Sequence, residues 1–382
     1  MIDEALLDAP EELLRADPRG LLRAVAAAGA HVRTAAHATE ESDLARLRPE
    51  GRPGTVLVAG SGFASPLIAG LLGALAGDGT RVAELRPTGA LAAPAALSWA
   101  LPRWAGPLDL LLLATAEGTE PGLTLLAEAA YRRGCSIATV APADSPLAEV
   151  TTHRRNLLLP LTPAPFQEPI GHPAAPGPAW SLLTPLLMLG DRLRLFEADL
   201  AALHDLADRL DALAERCGPA TRTHDNPAKT LAAQLGADLP LLWSEGPLAG
   251  AVARHAAGTF VALAGRPALT AELPGALTAH AALLTGNLGP GGGDPDDFFR
   301  DRVEEPLPLL ARILLLRGPQ PPADEGTPSA AEAARRLARD HGRPLDELAV
   351  PEDGGPLDTL AALLVPLDFA AVYLALATRP DV

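Results

Sequence analysis

Residues 56–72 read VLVAGSGFASPLIAGLL. The apolar run at 55–58 has the length of a buried strand. Gly60-Ser61-Gly62 breaks it, and apolar residues at helical spacing follow from about 66 to 76. A strand that turns through glycines into a helix is the opening unit of a parallel α/β sheet. The glycines let the backbone turn tightly. The helix behind them offers free N–H groups and a positive dipole end, a setting that attracts anions.

The alternation continues outward from this junction. Asp78-Gly79 turns the chain into a second strand at 81–85, and Gly106-Pro107 precedes a third at 108–113. A helix over 121–133 ends at Gly134, a glycine placed as a helix cap. A fourth strand follows at 136–140. Upstream, Leu21, Leu22, Val25 and Val32 give residues 1–49 a helical period. Downstream, Pro and Gly make 160–178 a connector, and helices are expected at 180–195, 199–217 and 226–235. A second cycle opens near Pro240. It has a strand at 241–243, the turn Ser244-Glu245-Gly246, a helix at 249–264, strands at 268–273 and 310–316, and helices at 330–341 and 356–377. The same strand–turn–helix order in both halves suggests duplication of one unit. The predicted class is α/β with doubly wound parallel sheets. The predicted organisation is a helical segment (1–49), a first α/β domain (50–160), a connector with linking helices (161–225) and a second domain with C-terminal helices (226–382).

Composition narrows the function. Aromatic residues are only 3% of a chain that is 48% hydrophobic, so the core must be Leu, Ala and Val. The net charge of −16 opposes phosphate backbones and anionic lipid, which argues against nucleic acid and membrane partners. The apolar stretches, such as 182–188, read as broken by Pro or charge and too short to span a bilayer. Cys135 and Cys217 have no metal-like spacing and point to a reducing, cytoplasmic setting. The first twenty residues are acidic and amphipathic, unlike a signal or transit peptide. Lysine occurs once, at Lys229. Arginine-favouring coding bias accounts for that; so would a site where arginine cannot substitute.

Three turns share the C-terminal edge of the predicted first sheet, where open α/β sheets bind ligands. They are Gly60-Ser61-Gly62, the stretch Thr115-Ala116-Glu117-Gly118-Thr119, and the run 141–145 ending in Ser145. Thr119 is placed to cap a helix and reach a bound anion, while Glu117 works against one. A dinucleotide reading also exists. Gly60-x-Gly62 has Ser65 where a third glycine would fall, and Glu84 ends the second strand. His153, His172 and His224 are scattered, and Asp294, Asp296 and Asp297 in a glycine-rich loop lack the spacing of a cation loop. No metal is assigned.

These segments resemble the sugar isomerase (SIS) domain in tandem. More narrowly, the chain resembles the bifunctional phosphoglucose/phosphomannose isomerases and their divergent actinobacterial, TobH-like branch. The resemblance rests on VLVAGSGFASPLIAGLL, on ATAEGTEPGLTLLAEAAYRRGCSIATVAPADSPLAE, on HDNPAKTLAAQL and on PLDFAAVYLALATRPDV. It implies two three-layer αβα sandwiches with mainly parallel sheets and helical connectors. It further implies aldose–ketose isomerisation of glucose 6-phosphate or mannose 6-phosphate type, with no cofactor, in a cytoplasmic homodimer. The family's Ser-Tyr-Ser-Gly-Asn-Thr-Glu turn, laid over Ala114 to Glu120, leaves Thr115 and Thr119 as hydroxyls. The family's catalytic glutamate falls on Leu277, and its lysine beyond the last helix has no counterpart here.

Isomerisation needs a base that moves a proton between neighbouring carbons and a group that opens the ring. Glu272 or Glu245 is the candidate base and His280 the ring-opening group. The candidate phosphosugar contacts are Gly60, Ser61, Gly62, Thr115, Gly118, Thr119, Ser145, Lys229 and Arg254. The competing reading is a catalytically silent SIS protein that binds a phosphosugar or nucleotide sugar and regulates a partner. A dinucleotide enzyme is the third.

Overall fold

Leucine- and alanine-rich runs with almost no aromatic bulk form short inner strands that are almost wholly buried, and every ladder between strands is parallel. The computed structural model describes residues 2–49, 51–89, 94–154, 156–162, 174–285, 310–318, 329–348, 350 and 354–378. Contacts divide the chain into two compact units, Arg19–Ala212 and Met1–Pro18 with Leu213–Val382.

The unit Arg19–Ala212 is built on β1 (Thr55–Gly60), β2 (Arg81–Glu84), β3 (Leu110–Ala114), β4 (Ser136–Ala141) and β5 (Leu157–Pro160). Their order in the sheet is β2-β1-β3-β4-β5. Strand alternation splits the burial between two faces. Leu57, Leu111, Leu113 and Ile137 pack with Leu123, Leu126 and Ala130 of the helix Pro121–Arg132. Val56, Leu110 and Leu112 face Leu72 of the helix Ala64–Ala76 and Leu186 and Leu189 of the helix Ala179–Arg192. The sheet is thus the middle of three layers. The helix expected from 66 starts two residues earlier, at Ala64. The strand β5 lies partly in what reads as the Pro/Gly connector.

The other unit repeats the plan with β6 (Leu239–Glu245), β7 (Leu269–Glu272), β8 (Ala311–Arg317) and β9 (Leu345–Glu347). Their order is β7-β6-β8-β9, which is the order of the first four strands of the other sheet. The shared order supports the duplication more firmly than residue identity does. One face of this sheet buries Leu241, Trp243, Ile313 and Leu315 with Ala331, Ala334 and Ala338 of the helix Ala330–Asp340. The helix Pro247–Ala264 packs on β6, β7 and β8 and against the helix Pro356–Ala377.

That last helix corrects the reading of the apolar stretches. It is 22 residues long with a mean hydropathy of 2.1, enough in length and composition to cross a bilayer, yet 89% of its apolar window is buried within the protein. A helix that is apolar all round and enclosed by other helices is a core helix. The N-terminal residues belong to this unit too. The Asp3 N–H donates to the Ala377 carbonyl at 2.8 Å, and the Thr223 N–H donates to the Asp8 carboxylate at 2.8 Å. The loop at 289–297 with Asp294, Asp296 and Asp297, and His172, lie outside the described residues.

Candidate functional site

All strands of the first sheet end on one edge, and the predicted turns meet there. Gly60 closes β1 against the end of β3. A Cβ at Gly60 would stand 2.2 Å from the Ala114 carbonyl oxygen, so only glycine fits. Ser61 and Gly62 follow, with Gly62 at φ +78°. After β3 the chain turns through Gly118 at φ +68°, where a Cβ would also meet the Ser145 hydroxyl at 2.3 Å. Ser145 caps the helix Pro146–His153 by accepting the Ala148 N–H at 3.3 Å.

The hydroxyls on this edge are already engaged. Thr115 is fully buried and donates to Glu120 Oε1 at 2.7 Å. Its oxygen also accepts the N–H groups of Glu117 and Gly118, each at 3.2 Å. Ser61 donates to the same Glu120 oxygen. Thr119 is exposed and donates to the Glu117 carboxylate at 3.4 Å. Glu120 is 2% exposed, stands at the N-cap of the helix Pro121–Arg132 without bonding its N–H groups, and leaves Oε2 buried with no hydrogen-bond partner. Sequence reasoning missed Glu120, since a glutamate before Pro121 reads as a solvated charge in a first helical turn. Only the contact with Ser61, fifty-nine positions away, reveals its burial.

The corresponding edge of the other sheet carries charge at the end of every strand. Glu272, Glu245, Arg317 and Glu347 end β7, β6, β8 and β9 in their spatial order. Arg317 Nε lies 3.4 Å from Glu245 and 3.7 Å from Glu347, and Arg335 holds Glu347 at 2.5 Å. Glu245 makes this ion pair without a hydrogen bond at its buried Oε2. Arg254 and Glu272, both more than half exposed, pair at 2.7 Å. Each candidate carboxylate here thus has a cation beside it, and Arg254 is spent on Glu272. Arg317, Arg335 and Glu347 carried no signal in the sequence, because an ion-pair ladder between strand ends exists only once the sheet is ordered.

Two further candidates point inward. His280 is 8% exposed, and its Nδ1 accepts the indole N–H of Trp243 at 2.9 Å. That bond places the proton of the neutral ring on Nε2. Burial lowers the His280 pKa. Below about pH 6.5, where a free histidine titrates, the unfolded chain takes up a proton that the folded ring resists. Stability is therefore expected to hold above pH 6.5 and to fall as the pH drops through 6.5 toward the lower folded value. The urea midpoint should fall between pH 7.5 and 5.5, and His280→Asn should make that fall shallower. Lys229 is fully buried, and its Nζ donates to the carbonyls of Pro219 at 2.8 Å and Thr221 at 2.7 Å. Leu277 is half-buried against the core of the second sheet.

Among the described residues no three His, Cys, Asp or Glu side chains are grouped to hold a metal ion. A small cavity between the first sheet and the helices Ala64–Ala76 and Ala179–Arg192 is lined by apolar side chains and Gly190.

Residues 224–381 match the family model of the bacterial phospho-glucose isomerase C-terminal SIS domain. This part of the chain is a SIS domain. A search of curated protein sequences gives no match. Solved structures extend the likeness of fold over both units. A candidate phosphosugar isomerase from Clostridium difficile 630 aligns over 94% of this chain and 95% of its own, with a TM-score of 0.59 and 11% identity. One from Silicibacter pomeroyi DSS-3 covers 93% and 97%, with a TM-score of 0.59 and 18% identity. A hypothetical protein from Thermus thermophilus covers 97% and 89%, with a TM-score of 0.62 and 15% identity. At such identities the structures share the fold, two parallel sheets flanked by helices, and the residues at the SIS edges must be judged from this chain itself.

Proposed function

We propose that this SIS protein binds a carbohydrate derivative and does not interconvert aldose and ketose phosphates. The supporting observation is the state of the acid/base candidates. Enediol chemistry needs a base and a ring-opening group facing one substrate. Here the residue that the resemblance lays over the family glutamate is Leu277, half-buried against the core, and His280 is turned onto Trp243. The edges where SIS folds take their ligands remain intact in outline, with glycine turns and helix starts behind β1, β3 and β6.

One observation favours the isomerase as a second reading. Glu272 ends β7 at the ligand edge with its side chain 59% exposed, so a carboxylate is available there despite its pairing with Arg254. The two readings separate in one experiment. The purified chain is given glucose 6-phosphate or mannose 6-phosphate with a coupled assay for the ketose, and its melting temperature is followed with the same sugars and with their unphosphorylated forms. The proposal expects no ketose above the uncatalysed background, together with a rise in melting temperature on at least one sugar. Turnover that disappears in Glu272→Gln would establish the isomerase instead.

A further inference from the structure

We propose that Glu120 is a resident anion that closes the turn behind β1 and β3 to phosphate. By general physical chemistry this corner should attract anions. Two parallel strands end here, and the helices Ala64–Ala76 and Pro121–Arg132 begin here, neither capped by a side chain, with their positive dipole ends. The hydroxyls that could add hydrogen bonds to a phosphoryl oxygen are those of Ser61 and Thr115. Both donate to Glu120 Oε1 instead, and the oxygen of Thr115 is further occupied by two backbone N–H groups.

The carboxylate is also held in the worst place for a second anion. Glu120 is 2% exposed, and Oε2 has no hydrogen-bond partner to spread its charge. A charge held away from water is screened less than one on the surface, so it repels a phosphoryl group at this corner more strongly than a solvated carboxylate would. Glu117, exposed on the same turn, adds a second negative charge. Glu120 is therefore a specificity-determining residue. It keeps the shape of an anion site while supplying the anion from the chain. A ligand that approaches this corner presents something other than phosphate. The inference deepens the proposed function and rests on it only for taking this edge as the ligand's.

Calorimetric titration of the full chain with inorganic phosphate tests it, without reference to turnover. Wild type, Glu120→Gln and Glu120→Thr are compared. Glu120→Gln keeps the side-chain shape and removes only the charge, so it serves even if the threonine variant fails to fold. Removing the like charge is expected to tighten phosphate binding by about tenfold or more in Glu120→Thr, with Glu120→Gln between it and wild type. Adding Ser61→Ala to the threonine variant should cancel most of that gain. Equal phosphate affinity in wild type and both variants, whether measurable or absent, overturns the inference. So does phosphate binding by wild type that Ser61→Ala abolishes.

Discussion

Replacing Lys229 with alanine is expected to lower the unfolding free energy by about 3–5 kcal/mol. The side chain lies in the helix Pro227–Ala237, fully buried, with its ammonium on two backbone carbonyls and 5.7 Å from the centre of the Tyr373 ring. Asn226 secures the same corner, capping the helix through the N–H groups of Ala228 and Lys229 and donating to the Gly218 carbonyl at 2.9 Å. Alanine leaves a cavity and takes the donor from two carbonyls on half-buried residues. Lys229→Met keeps the packing and strands only the acceptors, so about 2 kcal/mol is expected. Burial lowers the Lys229 pKa, but the two carbonyls need a donor that alanine and methionine lack. The measurement is the urea midpoint at pH 7.5. A loss below about 1 kcal/mol in Lys229→Ala would return Lys229 to the list of ligand contacts. The fit also explains why the sole lysine persists among arginines. A compact ammonium bonds both carbonyls in this space, whereas a planar guanidinium fork needs more room.

Trp243→Ala is expected to cost about 3–5 kcal/mol by the same measurement. Trp243 is central in β6, fully buried, and belongs to the core of its sheet. Trp243→Phe keeps much of the bulk and removes the indole N–H, which leaves His280 Nδ1 without its donor, for about 1–2 kcal/mol. This pair of variants speaks to chemistry as well. If His280 were a ring-opening group held ready by Trp243, Trp243→Phe would alter sugar turnover more than stability. A structural role for the pair predicts the reverse.

The sequence made much of the fold legible and little of the site, for distinct physical reasons. Long apolar strands bounded by glycine turns announce themselves, which is why the β1–Gly60–helix junction and the terminal helix at 356–377 read correctly. The strands β5 and β9 did not. They are edge strands of four and three residues, and β9 reads Leu-Asp-Glu, without period or apolar run. The site failed on tertiary facts. Lys229 carried a real signal in being unique, but its partners are carbonyls, which no side-chain pattern encodes. His280 pointed to chemistry by residue type, while its position opposite Trp243 across the core decides its role. At the first turn, Gly60, Ser61, Thr115 and Gly118 were singled out correctly as neighbours. Glu120, which uses their hydroxyls, was not.

The junction at Gly60-Ser61-Gly62 is thus an anion-attracting turn in outline, and its hydroxyls are committed to a carboxylate of the chain itself. The proposed reading is a SIS-like frame without a working acid/base pair. Deuterium exchange tests that most directly, because an enediol forms only when the C2 proton passes to a base, and a base open to water exchanges that proton even where no ketose accumulates. Glucose 6-phosphate is incubated with the chain in heavy water and followed by proton NMR. The account predicts no loss of the C2 proton signal beyond the protein-free control. Loss that scales with protein concentration and vanishes in Glu272→Gln would contradict it.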